Sequence, residues 1–238
     1  MTDRMTATAV LICPIPGGTS VAELAAWMSR SQRSRVPVTW AVDLPMLTAA
    51  GETFKAAVSS TACELALDLS RSWPTSRQAL RQSLRSARHS WPHIEAAILS
   101  GAARLDHRDV LVQEGITTVA VDHFDTLERG SRRPAPDGWS CRSILWGLWE
   151  VATTPATGSI IGRVTGLWKG GRRKGGLSVL DAGGSLDATV IRTRLDRHLA
   201  WVRRRSQAGL QAVTLSTVPL ILRGGNDMAS NGSVLRAA

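Results

Sequence analysis

Short apolar runs alternate with amphipathic helical stretches along most of the chain, and this alternation restricts the fold more than any single motif does. Ala7–Ile12 is an apolar run that exits through Pro-Ile-Pro-Gly-Gly, so it reads as a first strand and its loop. Ser20 and Glu23 have capping-box spacing, and Val21, Leu24, Ala25 and Met28 supply a helical apolar face. Val36-Pro-Val-Thr-Trp-Ala-Val-Asp43 is β-branched and ends in an acid, which predicts a second strand. Leu44–Ser60 reads as a helical region interrupted at Gly51, and Thr61–Leu69 as a third strand. Thr75-x-x-Gln78 has the spacing of another capping box. The helix it would start turns Leu80, Leu84 and Ala87 inward, with Arg77, Arg81, Arg85 and Arg88 along its other side. Pro92 suits the first position of a helix over His93–Ser100, with Gly101 as its cap. Ala102–Leu105 reads as a short strand, Asp106–Gly115 as a capped helix and Ile116–Asp122 as a strand. Beyond a turn-rich loop at Asp125–Gly138 come a Trp-rich apolar run, Ser143–Val151, and a glycine- and cation-rich loop, Gly162–Gly176. Leu177–Asp181 is a further strand. Asp187–Ala208 is the longest helix, with Ile191, Leu195, Leu199 and Val202 as its buried stripe, and Ala212–Leu215 is the last strand. The order predicts an α/β protein: a parallel sheet, open or closed, with helices outside it.

At 238 residues the chain can bury one large core. We expect a single domain over residues 1–222 and a loosely ordered tail over 223–238, which has little to bury. No apolar run approaches the roughly 20 residues that span a bilayer. Ala9–Ile12 is too short for a signal-peptide core, so a cytoplasmic location is expected. Cys13, Cys63 and Cys141 lie far apart and read as reduced, mostly buried thiols. The net charge is +10, and most of the basic residues are arginine. Such a balance can serve a polyanion partner through Gly162–Gly176 and the Arg77–Arg88 stripe, but the simpler expectation is solvated helix faces. The aromatic set is unusual, with nine Trp, two Phe and no Tyr. Tryptophan can fill the core or offer flat faces to sugars or bases.

The residues that close the expected strands are Cys13, Asp43, Asp68, Arg104 with Asp106 and His107, Asp122 with His123, Glu150 and Asp181. If the strands are parallel, these ends surround one mouth, where such folds place their sites. Asp is also a good helix cap, so each carboxylate alone has a structural explanation. The motifs Gly-x-x-x-x-Gly-Lys-Ser/Thr, Gly-x-Ser-x-Gly and His-Glu-x-x-His do not occur in the sequence.

In this order the elements resemble the polysaccharide deacetylases, the NodB-type (β/α) barrels. Arg35-Val-Pro-Val-Thr-Trp-Ala-Val resembles the family's second strand. Cys63-Glu-Leu-Ala-Leu-Asp-Leu-Ser-Arg-Ser resembles the segment that carries two metal-binding histidines. Arg104 falls on the arginine of the next motif, and Gly115-Ile-Thr-Thr-Val-Ala-Val-Asp on the strand after it. Leu177-Ser-Val-Leu-Asp181 and Ala208-Gly-Leu-Gln-Ala-Val-Thr-Leu-Ser-Thr-Val are similar to the last two strands. The resemblance implies a distorted (β/α) barrel of mostly parallel strands with outer helices.

The departures fall on the chemistry. The family's first strand ends in paired Asp, whereas here it ends Ile12-Cys13-Pro14. The two metal histidines fall on Asp68 and Ser72, and the late catalytic histidine on Leu180 beside Asp181. Metal-assisted deacetylation needs a cation to polarise the amide, a base for water and an acid for the amine. The resemblance therefore implies a degenerate member that binds a glycan or a protein, with no cofactor. The alternatives are a carbohydrate amide hydrolase with a rearranged carboxylate site, which alone would take a divalent metal, and a polyanion-binding protein; nucleic acid is a weaker partner and a membrane is not expected. The catalytic candidates are Asp68, Asp181 and Arg104. The substrate-binding candidates are Trp40, Asp43, Trp73, Asp122, His123 and Trp149.

Overall fold

The computed structural model describes residues 7–60, 63–70, 74, 76–99, 107–121, 141–144, 147–153, 177–183 and 187–226. Among the described residues nine strands form one curled sheet: β1 (Thr8–Pro14), β2 (Thr39–Val42), β3 (Glu64–Asp68), β4 (Ala96–Leu99), β5 (Thr118–Val121), β6 (Cys141–Ser143), β7 (Trp149–Ala152), β8 (Leu177–Asp181) and β9 (Gln211–Val213). Around it lie α1 (Val21–Ser34), α2 (Leu44–Ala49), α3 (Gly51–Ser60), α4 (Arg77–Ser90), α5 (Arg108–Gln113) and α6 (Ala188–Ser206). A 3-10 turn, Leu215–Thr217, leads into α7 (Val218–Asn226). The strand order is β6-β7-β5-β4-β3-β2-β1-β8, and every pairing is parallel except β6 with β7. β9 pairs with the first half of β1, on the edge that β2 occupies along the second half. This is a half-barrel with surrounding helices, the distorted (β/α) barrel that the resemblance implied.

The two faces of the sheet are filled differently. Alternate residues point to opposite faces. Leu11, Cys13, Trp40, Val42, Leu65, Leu67, Val119 and Val121 join the helix residues Leu24, Trp27, Leu84, Leu111, Ile191 and Leu195 in the outer core. The inner face is built from Val10, Ile12, Ala41, Ala66, Ala96, Ala120, Val151 and Val179. Register places Pro14, Ala41, Ala66, Ala96, Thr118 and Trp149 in one row across it. The small alanines leave room for Leu215, Val218 and Leu222, which pack on that face from the C-terminal turn and α7. A polar latch holds this plug. The Ser216 N–H donates to both Glu64 oxygens at 3.2 and 3.3 Å, and Thr39 Oγ1 donates to Glu64 Oε2 at 3.0 Å. The Leu215 N–H in turn donates to Thr39 Oγ1 at 3.0 Å. Burial pushes the Glu64 carboxyl above its ordinary value despite these donors.

Several local expectations change. The helix expected over His93–Ser100 is instead a turn at Pro92 followed by β4, which is buried between β3 and β5. Helical propensity of Ala-Ala-Ile-Leu gives way to pairing on both edges. The cap of α4 is Ser76, whose hydroxyl accepts from the Ala79 N–H at 3.2 Å, one residue later than the Thr75 spacing. Chain expected as tail contributes the last turn of α7, which runs to Asn226. The capping box at Ser20 and Glu23, the break before Gly51 and the buried stripe of α6 stand as the sequence predicts. The expected strand at Ala102–Leu105 and the loops at Asp125–Gly138 and Gly162–Gly176 lie outside the described residues. No described helix is long and apolar enough to cross a membrane.

The arginine stripe of α4 is more than a wet surface. Arg77 forms a two-pronged pair with Asp109 of α5. Arg81 reaches Gln113 at 2.7 Å, and Arg81 and Arg85 both pair with Glu114. Arg88 donates to the carbonyls of Glu114 at 2.5 Å and Pro92 at 3.1 Å. The stripe thus joins α4 to α5 and its exit turn, so its charge is largely answered within the protein.

Candidate functional site at the strand ends

Because β3, β2, β1 and β8 are adjacent and parallel, their C-terminal ends share one rim. Three candidate carboxylates stand there: Asp43, just past β2, and Asp68 and Asp181, which end β3 and β8. The register alternation turns Asp68 and Asp181 to the inner face, in line with Ala66 and Val179. Each carboxylate also shapes the chain that follows it. Asp43 Oδ1 accepts from the Met46 N–H at 2.8 Å and caps α2. Asp68 Oδ1 accepts from the Ser70 N–H at 2.9 Å and from the Ser70 hydroxyl at 2.5 Å. Asp181 Oδ1 accepts from the Gly183 N–H at 2.7 Å. The last two are Asx turns, in which Asp bends the chain over the second residue onward.

Loop residues fit closely against these acids. A Cβ at Gly17 would lie 3.8 Å from Asp43 Oδ2, so the β1 exit loop runs past that oxygen. A Cβ at Gly183 would fall 2.9 Å from both Asp181 Oδ1 and Pro14 Cγ, so only glycine fits without displacement. The Arg194 guanidinium of α6 donates to the Gly183 carbonyl and fixes the same turn from outside. The β1 exit is held by the Thr19 N–H and hydroxyl, both donating to the Pro16 carbonyl at 3.1 and 2.8 Å.

The remaining candidates divide by place. Trp40 faces the outer helices and has no exposed surface, so it fills the core and offers no face to a ligand. Trp149 opens β7 opposite Thr118, at the end of the sheet away from the rim. Glu150 is not part of the rim either. It lies in the register row of Val119, buried, with Arg108 Nη2 2.6 Å from Oε1 and Arg142 Nε donating to Oε2 at 2.7 Å. His107 precedes α5 in a left-handed conformation, with φ 73°, and makes no side-chain cap. Arg104, Trp73, Asp122 and His123 lie outside the described residues. Ser70, Gly183 and Arg194 went unread in the sequence. The spacings Asp68-Leu-Ser70 and Asp181-Ala-Gly183 carry the Asx-turn signal that locates the first two.

A divalent metal does not fit the described residues. Where the resemblance places paired acids, Cys13 is fully buried on the outer face, and burial together with the nearby Asp181 charge pushes its thiol well above the ordinary value. A neutral, sealed thiol is a poor metal ligand. Among the described residues no three His, Cys, Asp or Glu side chains are grouped to hold an ion.

No protein-family model matches the chain, and a sequence comparison with curated proteins finds no relative. Solved structures do match. A protein of Mycobacterium smegmatis assigned as a polysaccharide deacetylase superposes with a TM-score of 0.61 at 12% identity, over 100% of this chain and 96% of its own. One of Pseudomonas aeruginosa PAO1 with the same assignment gives 0.58 at 11% identity, over 93% and 91%. The peptidoglycan deacetylase of Bacillus subtilis gives 0.50 at 11%, over 97% and 98%. At these identities the likeness is one of architecture, and the chain has the NodB-type barrel fold of the polysaccharide deacetylases.

Proposed function

We propose that the protein binds carbohydrate at the rim formed by Asp43, Asp68 and Asp181, and does so without the metal-dependent deacetylation of its structural neighbours. The observation that carries this reading is the dual placement of Asp43. Its Oδ1 caps α2, while its Oδ2 lies beside the Gly17 turn on a partly exposed rim. A carboxylate so placed accepts hydrogen bonds from sugar hydroxyls, and these charge-assisted bonds are the stronger kind. The neighbours' descriptions as polysaccharide and peptidoglycan deacetylases support an amino-sugar polymer as the ligand class. Asp68 and Asp181 then serve as architects of the rim, through the turns that their Oδ1 atoms close.

Calorimetric titration with an N-acetylglucosamine oligomer tests this. Asp43→Asn keeps a capping oxygen and removes the charge, so folding should persist while affinity falls about tenfold, the equivalent of ~1.4 kcal/mol. Failure of the wild-type chain to bind the oligomer at millimolar concentration, or an unchanged affinity in the Asn variant, would contradict the reading.

A further inference from the structure

A second charged surface lies at the opposite end of the molecule. The last turns of α1 and α6 run side by side and enclose a groove of about 710 Å³, lined by Arg30, Arg33, Arg203 and Arg204, with Leu199 among its apolar lining. Asp196 is the one acid of that lining, and its Oδ2 already pairs with Arg30 Nη1 at 2.5 Å. Among the described residues, the Arg204 contact is to backbone, from Nε to the Ala200 carbonyl at 3.2 Å. Arg33 and Arg203 are exposed. Among the described residues, four arginines therefore line the groove against a single carboxylate. This differs from the α4 stripe, where Asp109 and Glu114 answer the arginines.

Cations near a helix C-terminus stabilise that helix, and Arg33, Arg203 and Arg204 each lie in such a last turn. Helix stabilisation alone does not require two helices to aim their cations into one concavity. α1 leads to the start of β2 and α6 to the start of β9, so the groove sits beside the N-terminal strand ends, away from the rim. Among the described residues its lining holds no aromatic ring. Single-stranded nucleic acids rely on stacking platforms for their bases as well as charge, so the groove suits a chain recognised by its anionic groups alone, as on a sulfated or carboxylated glycan.

We propose that the α1–α6 groove binds an anionic glycan chain through Arg33, Arg203 and Arg204, with Arg30 held in place by Asp196. This site is independent of the rim and of what the rim binds. A sulfated heparin hexasaccharide is the probe, titrated at several salt concentrations. Saturable binding should weaken linearly on a log–log plot of affinity against salt, because binding releases counterions and added salt makes that release less favourable. Arg33→Glu with Arg203→Glu should weaken it by about tenfold or more, since two attractive charges become repulsive. Arg192→Glu, on α6 but outside the groove lining, should change it less than about twofold if the contact is local and not an effect of total charge. Where the double reversal lowers the unfolding midpoint, Arg33→Gln with Arg203→Gln gives the same reading with less repulsion. Three results would overturn the proposal: equal weakening by the Arg192 variant, tighter binding of an oligothymidylate than of the hexasaccharide, or competition by a neutral N-acetylglucosamine oligomer.

Discussion

Glu150 shows how burial sets the weight of a single side chain. It is 1% exposed and is held between Arg108, itself 8% exposed, and Arg142. Removing it leaves the Arg108 charge buried without its partner, and such losses cost about 3–5 kcal/mol. Urea unfolding of Glu150→Ala should show a loss of that size; a loss below ~1 kcal/mol would mean that Arg108 reaches water once its partner is gone. Glu64 behaves in the opposite sense. Its folded pKa lies above the ordinary value of 4.5 because burial disfavours the charge. Its contribution to stability is thus full below that ordinary value and is lost as the pH rises through the folded one. Glu64→Gln keeps an acceptor for the Ser216 N–H and removes the titration, so the variant should gain stability relative to wild type as the pH rises through that window. A parallel pH dependence in the two proteins would refute the latch as described. Neither role was legible from sequence, where Glu150 looks like a strand-end acid and Glu64 carries no motif. Both depend on partners far along the chain, Arg108 in one case and Ser216 in the other.

At the scale of elements, α4 and α5 form the most polar junction among the described helices, and its closing turn is Gly115. That residue has φ +82°, and a Cβ there would lie 1.9 Å from Arg88 Nη1. Arg88 is not free to retreat without loss, because it holds the carbonyls of Glu114 and Pro92. Gly115→Ala combines a left-handed backbone penalty with weakened hydrogen bonds and should destabilise by about 2 kcal/mol, read from thermal or denaturant unfolding. A neutral effect would show that the turn relaxes. The elements best marked in the sequence were those with local signals: the Ser20 capping box, the Ile191–Val202 stripe and the β-branched runs of β2 and β5. Where local and tertiary preferences disagree, the sequence misleads. Ala96–Leu99 has helical composition and becomes a strand because β3 and β5 pair with it on both edges. The helix Val218–Asn226 was missed although Pro219 stands within its first turn, a favoured position for proline.

At the scale of the molecule, the inner row of Ala41, Ala66 and Ala96 and the plug of Leu215, Val218 and Leu222 account for each other: small side chains make room for a C-terminal segment on the sheet's inner face. The rim was legible as a set of strand-end acids, and the Asx spacings that organise it were present but unread. The tryptophans were not legible, because strand register decides whether Trp40 and Trp149 face a ligand, the helices or the far end of the sheet. At the end of β1 the chain carries a sealed thiol, Cys13, at the position where the resemblance places paired acids. The most direct test is acetate release from an N-acetylglucosamine oligomer by the purified protein, measured with zinc, cobalt or manganese added, alongside its bound-metal content. Binding of the oligomer with no acetate released and no stoichiometric metal is the predicted result; metal at one per chain, with acetate release lost in Asp68→Ala, would contradict it.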